Sequence, residues 1–278
     1  MRRALLRGFC AVLFVSILGI SFGLALPTDA SAASRLDEVK KRGKFLAGIR
    51  IGMEPYGLVD SSGQTVGFDM DIAREFARRL GVELETVTVT GATRVPMVES
   101  GKVDATFGGL GHTRKREETV DFTIPYMLEG DKLLVKKGSP VRSAKDLAGK
   151  TVSVAQGTIS EEVMRKAQPQ AKILRFQDLP QAFLALKQGL ADAWVSTDFV
   201  FASFLLANPG EFEVVGPYLV EYPVAIGVQE NDSRWRDTLN HMLQDMEEDG
   251  TFAKIFDKWI GKDSKYKLPV PKLQSWPK

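Results

Sequence analysis

The sequence predicts an α/β protein built from two similar lobes. Short apolar runs alternate with amphipathic segments along the chain, a pattern typical of helices packed on mostly parallel sheets. One helix–glycine–strand unit occurs twice, because Gly-Lys-Val-Asp-Ala at 101–105 is matched by Gly-Leu-Ala-Asp-Ala at 189–193. The length of 278 residues fits two medium-sized domains. We therefore expect two lobes of one plan, with a ligand site between them at the carboxyl ends of the strands.

The first 32 residues have the layout of a secretory signal peptide. Three arginines precede an uncharged apolar run from Gly8 to Leu26, and small residues at 30–32 form an A-x-A cleavage site. An uncleaved anchor is the alternative, because the run nearly reaches the roughly 20 residues that span a bilayer. The A-x-A site favours cleavage after Ala32 and export.

The remaining chain carries no net charge. Three arginines and one aspartate lie within residues 1–32, so their removal takes the net charge from +2 to zero. A sequence-independent attraction to nucleic acid or to anionic membranes does not follow from such a balance. The only cysteine, Cys10, lies in the predicted signal peptide, and two histidines alone argue against a zinc site. We expect no metal, no cofactor and a monomer.

The order of the elements follows from their spacing. Ser34 caps a short helix that ends at Gly43, and apolar residues at helical spacing predict a second helix from Asp69 to Leu80. The predicted strands include 45–51, 82–89, 103–107 and 152–155. The C-terminal part carries two apolar helical stripes separated by Gly250. We assign residues 34–130 and 223–265 to lobe 1, residues 131–222 to lobe 2, and residues 266–278 to an extended tail.

A glycine cluster after one strand is the first candidate for a binding element. After residue 32 the chain has no nucleophile elbow, phosphate loop, H-E-x-x-H or C-x-x-C motif. Gly108-Gly109-Leu110-Gly111 fails the dinucleotide pattern, because Arg114 stands where the third glycine would be. The cluster instead allows close backbone approach, and basic residues follow at once. Since an arginine fork binds a carboxylate bidentately, the segment is predicted to bind a carboxylate.

Six segments occur together in one order. They are Gly-Phe-Asp-Met-Asp at 67–71, Ser-Gly-Lys-Val-Asp-Ala at 100–105, Thr113-x-x-Arg116, Val-Asp-Phe-Thr-x-Pro-Tyr at 120–126, Asp-Leu-x-Gly-Lys at 146–150 and Gln-Gly-Thr at 156–158. In this order they resemble the polar-amino-acid family of periplasmic solute-binding proteins of ABC importers, over about residues 40–260. The resemblance implies a two-lobed clamp with two hinge strands that closes on one free amino acid and delivers it to a membrane permease.

The resemblance also implies roles for individual residues. Arg116, from the motif that begins at Thr113, is implied to grip the α-carboxylate of the ligand, and a solvated helix charge is the alternative for it. Thr158 stands at a predicted helix N-terminus, where amides favour an anion, although plain helix capping is as reasonable. Backbone amides implied to share the carboxylate belong to Gly109, Gly111 and Gly157.

The ammonium partner is harder to assign. In the family an aspartate five residues after the Asp-Ala of the second lobe meets the α-ammonium, but the fifth residue after Asp192 is Thr197 and the sixth is Asp198. We assign the role to Asp198 with a shift of one residue, and helix capping is its alternative. Tyr56 corresponds to the aromatic residue beneath the ligand side chain, with core packing as the alternative.

Two residues of opposite charge bear on side-chain specificity. Arg94 matches an arginine that acidic-amino-acid members use for a distal carboxylate. Glu54 falls near a carboxylate that basic-amino-acid members use, and a pair between Arg94 and Glu54 would suit an uncharged polar ligand. An acidic or amide side chain is favoured, because the surroundings of Arg94 match better, and a basic one is the alternative.

The competing function is enzymatic. Resembling families include dehydratases that act on small cyclic carboxylates, such as cyclohexadienyl dehydratase, and Glu54 or Asp198 would then serve as general acid or base. A receptor's sensory domain is disfavoured, because no second apolar span follows residue 33. His112 takes a usually aliphatic position and is expected to be neutral and hydrogen-bonded to the backbone. We expect a binding protein without catalysis.

Overall fold

The computed structural model describes residues 33–266. The predicted signal peptide and all but the first residue of the predicted tail lie outside this range. Two five-stranded sheets flanked by helices build two lobes, so the predicted two-lobed α/β fold is confirmed. In the described range no helix has the length and apolar character needed to cross a membrane.

The chain up to residue 122 builds most of the first lobe. Its elements are α1 (Arg35–Arg42), β1 (Lys44–Arg50), β2 (Leu58–Val59), β3 (Thr65–Val66), α2 (Phe68–Leu80), β4 (Glu83–Val89), α3 (Arg94–Glu99), β5 (Ala105–Thr106), α4 (Arg114–Glu117) and β6 (Val120–Phe122). Ser34 accepts a hydrogen bond from the N–H of Leu36, and Gly43 ends α1 in the left-handed conformation. Both ends of α1 therefore lie where the sequence predicts them.

The second lobe comes next, and the chain then returns to the first. The elements of the second lobe are β7 (Met127–Lys136), a 3₁₀ helix (Ala144–Leu147), β8 (Thr151–Ala155), α5 (Ile159–Ala167), β9 (Lys172–Phe176), α6 (Leu179–Lys187), β10 (Ala193–Thr197), α7 (Asp198–Ala207) and β11 (Phe212–Val224). The returning chain adds β12 (Gly227–Gln229), α8 (Ser233–Glu248) and α9 (Thr251–Trp259) to the first lobe.

Both sheets are mixed. The first sheet has the order β4-β1-β5-β12-β6 and the second has the order β11-β7-β10-β8-β9. The pairs β1–β4, β1–β5, β8–β9 and β8–β10 are parallel, as the alternation of helices and strands predicts, whereas the other pairs are antiparallel. The chain leaves the first lobe along β7 and returns along its neighbour β11, so these two strands have to run in opposite directions.

The repeated unit plays the same structural part in each lobe. The N–H of Asp104 donates to the carbonyl of Leu46 at 2.8 Å, and the carboxylate of Asp104 accepts from the N–H of Leu46 at 2.7 Å. Asp192 makes the same two bonds with Thr151, each at 2.8 Å. In each lobe an aspartate thus fixes the entry of a central strand, β5 or β10, beside a parallel neighbour.

Strands β7 and β11 join the two lobes, and we call them the crossing strands. Their pairing starts at Met127 opposite Val224 and runs the full length of β7. It continues into the first lobe, where the N–H of Thr123 donates to the carbonyl of Ile226 at 3.0 Å. The predicted lobe boundaries, at 130/131 and 222/223, fall within this ladder, and their exact positions stay a prediction.

The largest part of the apolar core lies under the first sheet. Phe68 at the start of α2 is fully buried, and four aromatic rings pack on it with centroids about 6 Å away, namely Tyr56, Tyr126, Phe252 and Phe256. The predicted stripe of α8 is buried throughout, and the indole N–H of Trp235 donates to the carbonyl of Asp104 at 2.9 Å. The C-terminal helices therefore hold the strand ends of the first lobe in place.

Candidate ligand-binding site

A cavity of about 310 Å³, partly open to solvent, lies between the lobes. It is lined by Arg50, Met53, Arg94, Gly109, Gly111, Arg116, Glu129, Thr158, Ile159, Leu179, Ser196, Thr197 and Tyr222. Several of these residues end β1 and β10 or follow β5 and β8, so the predicted location at the carboxyl ends of strands agrees with the structure.

Three arginines of the first lobe, Arg50, Arg94 and Arg116, form what we call the arginine wall. Arg50 ends β1 and is 5% exposed, and Arg94 opens α3 and is 2% exposed. Arg94 donates to the carbonyl of Gly108, but its Nε has no hydrogen-bond partner within residues 33–266, and neither has Nη2 of Arg50. Buried donors normally have partners, so this wall is left with donors for a ligand.

Burial governs the electrostatics of the arginine wall. Loss of hydration lowers the pKa of Arg50 to about 10, although the nearby Glu129 opposes that change. Burial also lowers the pKa of Arg94 well below its ordinary value, with Arg116 and Arg50 adding to the effect. The pKa of Arg116 is lowered by burial too. Arginine keeps its charge in proteins, so an anionic ligand group would offset the loss of hydration of these three guanidinium groups.

Arg116 reaches from one lobe to the other. Thr113 caps the short helix α4 by accepting from the backbone N–H of Arg116 at 3.3 Å. The guanidinium donates to the carbonyl of Gly111 at 2.6 Å and to the carbonyl of Gly157, in the second lobe, at 3.2 Å. These contacts hold the side chain at the cavity, so it is not a solvated helix charge.

The second lobe presents hydroxyl groups to the cavity, from Thr158, Ser196 and Thr197, and we call them the hydroxyl wall. The Thr158 hydroxyl donates to the carbonyl of Ala155 at 2.6 Å, so it does not cap α5. Thr197 ends β10 and caps α7 by accepting from the N–H of Val200 at 3.3 Å. Neutral donors and acceptors thus face the arginine wall.

A carboxyl group lies between the two walls, on the crossing strands. Glu129 of β7 is 2% exposed and stands directly opposite Tyr222 of β11. One oxygen of Glu129 accepts from the Tyr56 hydroxyl, and the other has no hydrogen-bond partner within residues 33–266. Burial raises the pKa of Glu129 to about 8, and the neighbouring Asp131, Asp198 and Asp69 raise it further, against the bond from Tyr56. With this pKa, Glu129 is mostly protonated at neutral pH.

Two more buried carboxyl groups support the site. Asp131 accepts from the Tyr222 hydroxyl at 3.1 Å, and burial raises its pKa to about 6. Asp69 accepts from the N–H of Gly108 at 2.7 Å and from the Tyr126 hydroxyl at 3.0 Å, and burial raises its pKa to about 7. Asp69 thereby fixes residues 108–111, which we call the glycine-rich segment. No group of three metal-ligating side chains converges within residues 33–266.

The two lobes touch at the mouth of the cavity. A Cβ atom on Gly157 would lie 2.6 Å from the carbonyl oxygen of Gly91 in the first lobe, so only glycine allows this approach. The Lys115 ammonium and the Glu162 carboxylate form an ion pair across the cleft at 2.9 Å. Together with the bond from Arg116 to Gly157, these contacts describe a closed arrangement of the lobes.

The structure brings most of the predicted site residues together. Arg116, Arg94, Thr158, Gly109 and Gly111 line the cavity, while Thr113 and Gly157 position Arg116. Their predicted contacts with a ligand stay predictions.

Three predicted site residues lie away from the cavity surface. Asp198 begins α7, where one oxygen accepts from the N–H of Phe199 at 3.0 Å and the other from the Tyr218 hydroxyl. Tyr56 is buried in the core, and its hydroxyl reaches the cavity only through Glu129. Glu54 pairs with Lys265 at 2.6 Å and not with Arg94. The ligand contacts predicted for these residues stay untested.

His112 differs from its expectation. Its imidazole Nε2 lies 2.6 Å from a carboxylate oxygen of Glu117, and the ring stacks on Phe122 with centroids 4.3 Å apart. The ring partner is therefore a carboxylate and not a backbone carbonyl.

Sequence reasoning missed Arg50, Glu129 and Tyr222. A signal existed for the two charged residues. Arg50 ends an apolar parallel strand, and Glu129 and Asp131 interrupt an apolar strand on one face, where charged residues are rare unless they have a role. Tyr222 carried no such signal, because a tyrosine in a strand is ordinary.

Comparison with known families decides the membership of the chain. Residues 46–262 match the model of bacterial extracellular solute-binding proteins, family 3. The chain belongs to this family. The glutamine-binding protein GlnH of an ABC transporter of Bacillus subtilis is 32% identical over 91% of this chain and 94% of its own length.

Two solved structures are also similar to this chain. A mutant of ArgBP from T. maritima has a TM-score of 0.77 and 34% identity, covering 81% of this chain and 98% of its own. An ancestral amino acid-binding protein, described as a precursor of cyclohexadienyl dehydratase, has a TM-score of 0.76 and 34% identity. That match covers 82% of this chain and 100% of the ancestral one. The relatives of this chain include binding proteins for different amino acids.

Proposed function

We propose that this protein is the solute-binding component of an ABC importer and captures one free amino acid with an acidic or amide side chain. The observation that carries the proposal is the arginine wall, three guanidinium groups that line one cavity between two lobes. The lobes close around the ligand, and the closed protein delivers it to a membrane permease. In the proposal the chain works as a monomer in the periplasm after residues 1–32 are removed.

Arg116 binds the α-carboxylate in this proposal. It already holds a carbonyl from each lobe, Gly111 and Gly157, so a carboxylate at the same guanidinium would bind where the lobes meet. The glycine-rich segment at Gly109 and Gly111 leaves the backbone accessible beside it. Thr158 adds a hydroxyl from the second lobe. Such contacts make closure depend on the ligand, because they are complete only when both lobes participate.

The charge of the cavity supports an acidic or amide side chain. Among its lining residues three are cationic and only Glu129 is acidic. Arg94 and Arg50, deeper in the first lobe, have unused donors for a distal carboxylate or amide oxygen. Glu54, the residue that favoured a basic ligand, is paired with Lys265 outside the cavity. A cationic side chain would therefore meet three like charges.

A thermal-shift screen of the refolded protein against free amino acids, including D-forms and cystine, tests the proposal. Unfolding and refolding first remove any ligand retained during purification. Ligand at about 100 times its Kd adds ~2.7 kcal/mol to the free energy of unfolding. We expect the largest shift with glutamate, aspartate or glutamine. Arginine or lysine as the best ligand would contradict the assignment of Arg94, and no shift with any amino acid would contradict amino-acid binding.

A second candidate function is a dehydratase for small cyclic carboxylates. The protonated carboxyl of Glu129 in the cavity favours it, because a general acid must hold its proton at neutral pH. A solved relative described as a precursor of such an enzyme adds weight. Incubation with prephenate and arogenate, followed by ultraviolet absorbance, separates the two functions. A steady rate above background that is lost in Glu129→Gln would favour the enzyme.

A further inference from the structure

Three residues that line the cavity each have a buried polar atom without a partner. They are Nη2 of Arg50, Nε of Arg94 and Oε2 of Glu129, none of which has a hydrogen-bond partner within residues 33–266. Burying a polar atom without a partner is unfavourable, so such atoms at a cavity point to a ligand that completes them. Two of the atoms are donors and the third belongs to a carboxyl group. The ligand that fits all three has an anionic or acceptor group and a cationic one.

The carboxylate expected to meet an ammonium is not at the cavity. The resemblance places that aspartate at the position of Thr197, and the structure puts Thr197, with a neutral hydroxyl, on the cavity surface. Asp198, the next residue, does not line the cavity, and both of its oxygens are engaged by Phe199 and Tyr218. Apart from the crossing strands, the second lobe therefore offers the cavity hydroxyl groups but no carboxylate.

We propose that Glu129 is the carboxylate that binds the ammonium group of the ligand, in place of Asp198. The inference rests on the proposed function, because it requires an amino acid as ligand. Glu129 is the only acidic residue among those that line the cavity within the described chain. Its partner Tyr56 occupies one oxygen and leaves the other for the ligand.

The position of Glu129 suits the α-carbon end of the ligand. A Cβ atom built on Gly109 would lie 3.3 and 3.6 Å from the two oxygens of Glu129, so the carboxyl group packs on the glycine-rich segment. Arg116 is bonded to the carbonyl of Gly111, two residues further along the same segment. An α-carboxylate bound to Arg116 and an α-ammonium bound to Glu129 would thus both lie beside the same glycine-rich segment. Asp131, the other acidic residue on this face of β7, is bonded to Tyr222 and does not line the cavity.

Binding of an ammonium group to Glu129 requires the carboxyl group to lose its proton. Burial raises the pKa of Glu129 to about 8, so at pH 7 its carboxyl group holds a proton that the ammonium has to displace. We expect release of about one proton per ligand at pH 7. The titratable or charged groups that influence Glu129 are Arg50 on β1, Tyr56 in the following loop, Asp69 on α2, Arg94 on α3, Tyr126 before β7, Asp131 on β7, Asp198 on α7 and Tyr222 on β11.

The test pairs each amino acid with its analogue that lacks the ammonium. The probes are L-glutamate with glutarate, L-glutamine with glutaramate, and L-arginine with 5-guanidinopentanoate. Each is titrated by calorimetry into the wild-type protein, Glu129→Gln and Asp198→Asn at pH 7, in buffers of different ionisation enthalpy. Glutamine in place of Glu129 keeps the shape of the protonated acid and an acceptor for Tyr56, so we expect the variant to fold, and circular dichroism checks this.

The expected result is a difference between the two variants. Wild-type protein and Asp198→Asn should bind the amino acid about 10- to 100-fold more tightly than its analogue, the range for hydrogen bonds to charged groups. Glu129→Gln should bind the two within about threefold of each other and release no proton. The inference is overturned if Glu129→Gln keeps the wild-type discrimination and proton release, or if Asp198→Asn loses them. Wild-type protein that binds none of the three amino acids and gives no thermal shift with any other would instead overturn the proposed function itself.

Discussion

The two walls of the cavity differ in charge, burial and the way they are held. The arginine wall belongs to the first lobe, and two of its members are nearly fully buried with donors unused. The hydroxyl wall belongs to the second lobe and carries no formal charge. Between them the crossing strands contribute Glu129 and Tyr222. The two lobes share one plan, and Asp104 and Asp192 make equivalent hydrogen bonds in each. The lobes nevertheless present different functional groups to the cavity.

This asymmetry suggests a division of labour. A charged group binds an anion strongly and over a longer range than hydroxyl groups can, so in the proposed mechanism the first lobe holds the ligand before the lobes close. The hydroxyl wall and the contacts at Gly157 are complete only after closure. Loss of a charged contact in the first lobe should therefore reduce affinity most, and loss of a contact between the lobes should mainly affect closure.

The largest effect is expected for Arg116→Ala. Breaking a buried charge pair costs about 3 to 5 kcal/mol, so the Kd for the amino acid should rise by at least about 100-fold. Calorimetric titration measures it. Arg114→Ala is the matched control, because Arg114 lies on the same short helix but is exposed. Equal affinity of both variants would contradict the role of the arginine wall.

Gly157→Ala should affect closure more than the first contact. The new Cβ would lie 2.6 Å from the carbonyl oxygen of Gly91, so the lobes could not approach as they do here. We expect about a tenfold loss of affinity, in line with the 1–3 kcal/mol that overpacking costs. Small-angle scattering should show a protein that stays more open with ligand.

Gly149→Ala is the control for Gly157→Ala. Both glycines have a positive φ near 72°, but a Cβ on Gly149 would meet nothing within 4 Å. The two variants share the backbone strain and differ in the contact between the lobes. Equal loss of affinity in both would mean that strain, and not closure, is responsible.

The raised pKa of the Glu129 carboxyl group leads us to expect that the stability of the protein depends on pH. The pKa of Glu129 is raised to about 8 by burial, above its value in the unfolded chain. The folded state therefore holds the extra proton, and its free energy of unfolding falls as the pH rises from about 4.5 to 8. Asp69 and Asp131, with raised pKa values of about 7 and 6, act in the same direction.

Glu129→Gln should reduce this dependence. We expect the ligand-free variant to melt at a higher temperature than the wild-type protein at pH 8.5, and at a similar temperature at pH 5. Thermal unfolding followed by circular dichroism measures both. A variant that melts at a lower temperature than wild type at pH 8.5 would show that the carboxylate form of Glu129 stabilises the folded protein.

The smallest effect is expected for Lys115→Ala. Its ion pair with Glu162 joins the lobes, but both side chains are exposed, and exposed pairs contribute little. The affinity should fall by less than about fivefold, and the difference should vanish at high salt. Titration at low and high salt tests this. A large effect that persists at high salt would mean that this ion pair at the rim, and not only the contacts inside the cavity, stabilises the closed arrangement of the lobes.

The sequence predicted the fold well because its signals were local. The caps of α1, the apolar stripe of α8 and the repeated glycine–strand unit each depend on a few neighbouring residues. The mixed character of the sheets did not follow, because the direction of the crossing strands depends on how the chain returns from the second lobe. Arg116 and Arg94 could be predicted as site residues because their neighbours in the sequence form recognisable motifs.

By itself the sequence determined that this is a two-lobed α/β protein, and it predicted a carboxylate-binding role for an arginine after a glycine-rich segment. The tertiary structure decided which charges meet. Glu54 and Arg94, which the sequence left as candidates for a pair, lie apart, whereas Arg50 and Glu129, far apart in the chain, line one cavity. Local patterns specify helices and strands, but a binding site forms where strand ends from distant segments converge, and only the packing of the sheets fixes that convergence.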